Sequence, residues 1–103
     1  MALTRSFRET VQARVQSDKA FRRGLLSDAI EALLAGESAL GREILRDYIN
    51  ATIGFPALAE ETGLHVKTLH QMFGPKGNPT AANIFAIIAC LQQHEGVRLQ
   101  VVA

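Results

Sequence analysis

The sequence predicts an all-α fold: a helix-turn-helix bundle preceded by a helical hairpin, with one short C-terminal β-strand. Three observations carry that expectation. Apolar residues recur at three- and four-residue spacing along most of the chain, the signature of amphipathic helices. Glycines at positions 36, 54, 63 and 96 punctuate the periodic runs. Only the tail alternates apolar and polar residues strictly, as a half-buried strand does. At 103 residues the chain fits one domain. Within it, residues 1–53 form the N-terminal helices and hairpin, 54–95 the helix-turn-helix core and 96–103 the strand.

The first helix is expected over about 4–16, with Thr4 as N-cap. Leu3, Phe7, Val11 and Val15 form a narrow stripe, and Arg5, Arg8 and Arg14 lie opposite. Ser17-Asp18 breaks the pattern and caps a second helix over about 19–34. Its wider stripe is Phe21, Leu25, Leu26, Ala29, Ile30, Leu33 and Leu34. Gly36 ends it. A third helix over about 38–52 turns Leu40, Ile44, Leu45, Tyr48, Ile49 and Ile53 inward, with the Tyr48 hydroxyl at the rim of the core. The short link makes helices two and three an antiparallel hairpin.

Beyond Gly54, two short apolar patterns meet at Gly63. Leu58 and Ala59 form the inner face of the first; Leu69, Met72 and Phe73 form that of the second. A glycine accepts the left-handed dihedrals that close a helix, and Leu64 is placed to plug the angle. Two short helices over a glycine turn are the arrangement that presents a second helix to the DNA major groove. The outer face of that helix carries His65, Lys67, Thr68, His70 and Gln71. These are hydrogen-bonding groups without a carboxylate, suited to phosphates and base edges. After the 74–80 Gly/Pro turn, Asn78 is expected as N-cap and Pro79 as first residue of a last helix over about 79–93. That helix buries Ile84, Phe85, Ile87, Ile88 and Leu91. The tail then places Val97, Leu99 and Val101 on one face of a strand with no partner in its own chain.

Composition narrows the function classes. A formal net charge of +1 provides no broad basic field. The single Cys90 has no disulfide partner and reads as a small core residue of a cytoplasmic protein. No secretory leader and no apolar run of membrane-spanning length is expected. His65, His70 and His94 lack a thiolate and the i, i+4 spacing of a helical metal site, so no metal or other cofactor is expected. The pairs Asp28–Glu31 and Glu60–Glu61 read as solvated helix faces rather than an acid/base pair. With no nucleophile motif and no phosphate-loop spacing around Lys76, the chain is not expected to be an enzyme.

The frame Leu58-Ala59, Gly63-Leu64, Thr68-Leu69, Met72, Pro79, Ile84 and Ile88 resembles the Cro/phage-repressor-like (lambda-repressor-like) helix-turn-helix domain. The whole chain, through its strings at 45–55 and 74–80, resembles a family of small bacterial probable addiction-module antidote proteins. The resemblance implies a cytoplasmic antitoxin that binds a neighbouring toxin of the ribosome-dependent RNase type and represses its own operon. Carried over residue by residue, it implies base reading by Val66, Lys67 and Gln71, and phosphate contacts by Phe55, His65, Thr68 and Lys76. His70 completes the candidate DNA-binding set. Two positions depart from the repressor pattern: Phe55 stands where many repressors carry a glutamine, and His65 where they cap the reading helix with Ser or Thr.

The expected partners are therefore double-stranded DNA at a pseudo-palindromic operator, a cognate toxin, and a second copy joined through the C-terminal strand. The alternatives are a toxin-binding interaction module that keeps the helix-turn-helix only as scaffold, and a phage-type regulator without a toxin. The arginines at 5, 8, 14, 22 and 23 fit a solvated face, phosphate contacts or a toxin-docking surface.

Overall fold

A computed structural model describes residues 5–102. Among them are six helices: α1 (Arg5–Ser17), α2 (Lys19–Leu34), α3 (Ser38–Ala51), α4 (Phe55–Thr62), α5 (Val66–Met72) and α6 (Ala81–Glu95). They group into two compact units, Met1–Thr52 and Ile53–Ala103. No helix among the described residues is long and apolar enough to cross a membrane.

In the first unit α1, α2 and α3 pack pairwise, the α2–α3 hairpin most extensively. Asp18 caps α2 as its sequence position suggests: its Oδ1 accepts from the Phe21 N–H at 3.0 Å. Arg14 sits over the Phe21 ring at 4.7 Å and 3.6 Å from the Asp18 carboxylate. At the other end of α2, Gly36 N donates to Leu33 O and Glu37 N to Ala32 O, the paired pattern that satisfies the last carbonyls of a helix. Val15, Leu26, Ala29, Leu45, Tyr48 and Ile49 are the buried centre. The expected Thr4 cap and the side chains of Leu3, Phe7 and Val11 lie outside what the structure describes.

The Asp18 cap sets a pH dependence. The Phe21 backbone N–H, aided by Arg14, holds the Asp18 carboxyl below its ordinary value of 3.8. A depressed carboxyl stabilises the folded state above the unfolded value, and that contribution disappears as pH falls through the lower folded value. The parent is expected to lose stability relative to Asp18→Asn, which keeps a capping oxygen, as pH drops below 3.8. Urea unfolding midpoints of both proteins across that range check it; parallel curves would exclude the effect.

In the second unit α4 packs on both α5 and α6. Pro56 stands in the first turn of α4, where its missing N–H costs nothing. Thr62 Oγ1 donates back to Leu58 O at 2.7 Å. Gly63 adopts φ +76° and its N–H bonds to Ala59 O, closing the helix; a side chain there would meet the left-handed penalty. Leu58, Leu69, Ile87 and Leu91 are fully buried, with Phe55, Ala59, Met72, Phe73 and Ile88 nearly so.

Several sequence expectations are corrected. The C-terminal β-strand does not form; residues 97–102 carry no strand among the described residues. Val97 N donates instead to Gln92 O, and Leu99 N to Gln92 Oε1 at 2.7 Å. Alternation survives only as Val97 and Leu99 half-buried against exposed Arg98 and Gln100. A strand requires a neighbouring ladder, and the end of α6 takes these donors first. Asn78 is not the cap of α6: Thr80 is, its hydroxyl accepting from Asn83 N at 3.2 Å, so the helix begins at Ala81. Leu34, Leu40 and Phe85, expected inward, are 64%, 46% and 64% exposed. Tyr48 is completely buried rather than at a rim.

Candidate nucleic-acid interface

The residues singled out by sequence occupy α5 and the loop that follows it. The turn between α4 and α5 is Gly63, Leu64 and His65. His65 is the α5 N-cap, with extended dihedrals and no capping bond from its imidazole, as expected for a side chain poorly suited to that position. Leu69 and Met72 turn α5 inward. The helical period then sends Val66, Lys67, His70 and Gln71 outward, and all four are exposed. Thr68 is half-buried at the edge of that face.

Three of the candidates meet in one place. Thr68, Gln71 and Lys76 line an open groove of about 640 Å³, with Gly74, Pro75, Gly77 and Asn78 forming its far wall. The wall is a tight loop: Phe73 N bonds to Leu69 O, Gly74 N to Gln71 O and Gly77 N to Gly74 O. Gly77 rides directly on the end of α5. A Cβ at that position would overlap the carbonyl oxygens of both Gln71 and Met72, so the loop reaches this approach only without a side chain there. Lys76 is exposed and lines the groove together with the last turn of α5.

Phe55 lies elsewhere. Its side chain is 3% exposed, and its ring packs on His70 at 4.6 Å and edge-on to Phe73 at 5.8 Å. A ring held that way cannot reach a phosphate; only the backbone at the start of α4 could. Phe55 instead braces α5 through His70, which packs its ring on Phe55 while remaining an exposed residue. Sequence reasoning missed both this stack and the role of Gly77. The aromatic pair is fifteen positions apart in the chain, and no local pattern announces it.

Charge along this stretch of the chain is one-sided. No Asp or Glu occurs between Glu61 and Glu95, so no carboxylate in this stretch repels an anion from α5 or its loop. The Glu61 carboxylate is itself engaged, accepting from the Cys90 thiol at 3.0 Å. Partial burial, then the Glu61 contact, push that thiol up to about 11. Cys90 is thus half-buried and hydrogen-bonded rather than simply a core residue, and at neutral pH it is a protonated, poorly nucleophilic thiol. Labelling by a disulfide reagent at pH 8 is expected to run well below the rate of an unstructured cysteine; equal rates would show the thiol to be unperturbed. No group of three metal-ligating side chains occurs among the described residues. Of the N-terminal arginines with described side chains, Arg14 is engaged by Asp18 and Phe21, and Arg22 donates to Val15 O at 3.3 Å.

No protein-family model matches this chain, no curated protein matches it, and no solved structure matches it.

Proposed function

We propose that the protein is a sequence-specific DNA-binding regulator that reads the major groove with α5. One observation carries the reading: α5 buries Leu69 and Met72 while exposing Val66, Lys67, His70 and Gln71, so a face of donors and one apolar contact stands outward on a helix anchored from behind. Lys67 and Gln71 are one helical turn apart and share a face. A lysine donates to guanine O6 and N7, a glutamine pairs with the adenine N6 and N7 edge, and a valine touches a thymine methyl. Lys76, on the loop, suits a phosphate, and Thr68 and the His65 region border the same backbone track. The chain acts without catalysis or a cofactor.

The resemblance to addiction-module antidotes supports a biological setting: a cytoplasmic antitoxin that represses its own operon and binds the toxin encoded beside it. A pseudo-palindromic operator would seat two copies, with their reading helices about one DNA turn apart.

The test is binding to the DNA upstream of the protein's own gene. Gln71→Ala is expected to lose about 1–3 kcal/mol on the cognate site and to relax preference at one base position, with the salt slope unchanged. Lys76→Ala is expected to weaken binding to all sequences alike and to lower the salt slope by about one. If substitutions at Lys67, Gln71 and Lys76 all leave affinity unaltered, the reading is wrong.

A further inference from the structure

Building on the proposed major-groove reading, on which this rests, we infer that His70 contacts a DNA phosphate. Phe55 holds its ring in place, and the strand it meets is the one opposite the strand met by Lys76. Successive residues of a helix stand about 100° apart. Lys67 and Gln71 therefore mark the middle of the outward face of α5, with Leu69 and Met72 turned inward behind them. Thr68 and His70 fall about 80° to either side of that middle. Each flank borders a different element. Thr68 lines the groove shared with Lys76 and the loop at 74–78. His70 packs on Phe55 at the start of α4, ring centroids 4.6 Å apart.

The DNA major groove is about 12 Å wide, with one sugar-phosphate backbone along each edge. A helix with its side chains is about 10–12 Å across. If α5 turns Lys67 and Gln71 to the base edges, its two flanks meet the two backbones. Lys76 then faces one strand and His70 the other. The chemistry of His70 suits that place. It is exposed, and no hydrogen bond among the described residues uses its imidazole. Even a neutral imidazole has one N–H to donate. No Asp or Glu occurs between Glu61 and Glu95, so no acidic side chain of this stretch competes for that proton donor. The ring is also set before DNA arrives. Phe55 is 3% exposed and is backed edge-on by Phe73 at 5.8 Å. A side chain already held gives up less freedom on contact. Phe55 is thus a positioning residue that acts on DNA through His70. A histidine kept only to pack on Phe55 would be replaceable by any flat ring.

Phosphate-ethylation interference with the full chain, on the DNA upstream of its own gene, tests this. The parent is expected to show interference on both strands flanking the base contacts. His70→Phe keeps a ring against Phe55 and removes the N–H. It is expected to abolish interference at a phosphate on one strand and to weaken binding about tenfold, as for a lost hydrogen bond to a charged group, with the parent's urea midpoint. Lys76→Ala is expected to abolish interference on the other strand. Phe55→Leu, which keeps an apolar side chain but not the stack, is expected to diminish interference at the His70 phosphate alone; if it fails to fold, His70→Phe decides. A His70→Phe variant with the parent's affinity and interference pattern would overturn the inference, and so would a loss on the same strand as Lys76→Ala. A parent that does not bind this DNA sinks the reading and the His70 contact together. If Lys67, Gln71 and Lys76 act as proposed and His70→Phe is silent, only the role of His70 is lost.

Discussion

Leu69→Ala is expected to destabilise the protein by about 2–5 kcal/mol, the range for emptying a buried leucine site. Leu69 is fully buried and is the residue through which α5 is held inward, one turn from Met72. The loss has a functional corollary. α5 has seven residues, too few to persist as a helix without tertiary support. Under the proposed DNA reading, removing its main anchor should cost operator affinity beyond what the fraction unfolded explains, although Leu69 itself faces inward. Urea unfolding gives the stability, and binding measured well below the unfolding midpoint gives the affinity. A variant as stable as the parent would mean that α5 is not anchored as described.

Gly77→Ala is the second large effect. The added methyl would collide with the Gln71 and Met72 carbonyls, which are backbone atoms at the end of a helix and cannot rotate away. Overpacking of that kind costs about 1–3 kcal/mol, and the cheapest escape is for residues 74–78 to lift off α5. That would carry Lys76 away from Gln71 and open the groove they share. The expected signature is a stability loss together with a drop in DNA affinity larger than that of Lys76→Ala, because the loop is displaced as well as the charge. An alanine variant with the parent's midpoint and affinity would show that the loop accommodates the methyl at no cost, and that the close approach does not determine its path.

The candidate face was legible in sequence to the extent that it follows from helical period. Once Leu69, Met72 and Phe73 are assigned inward, Lys67 and Gln71 must emerge on the other side, and they do. Phe55 was not legible. A hydrophobic residue at a helix start can be a surface contact or a brace, and only the placement of His70 and Phe73 around its ring decides for the brace.

The sequence by itself determined the local features of this protein. Periodicity located the six helices, with α2 at the bounds expected, because burying one stripe of a helix imposes its spacing on the chain. Asp18 and Gly63 closed helix ends because a carboxylate cap and a left-handed turn are properties of single residues. The tertiary structure decided whatever needed a partner distant in sequence. Residues 97–101 alternate as a strand does, yet a strand is a relation between two segments, and here the Val97 and Leu99 N–H groups bond to Gln92. Phe85 belongs to an apolar run, yet which apolar side of α6 is covered depends on where α4 lies. Gly77 looks like any loop glycine until α5 is built beneath it. Local spacing selects the helices; which surfaces stay open, and so what the protein can bind, depends on how those helices meet.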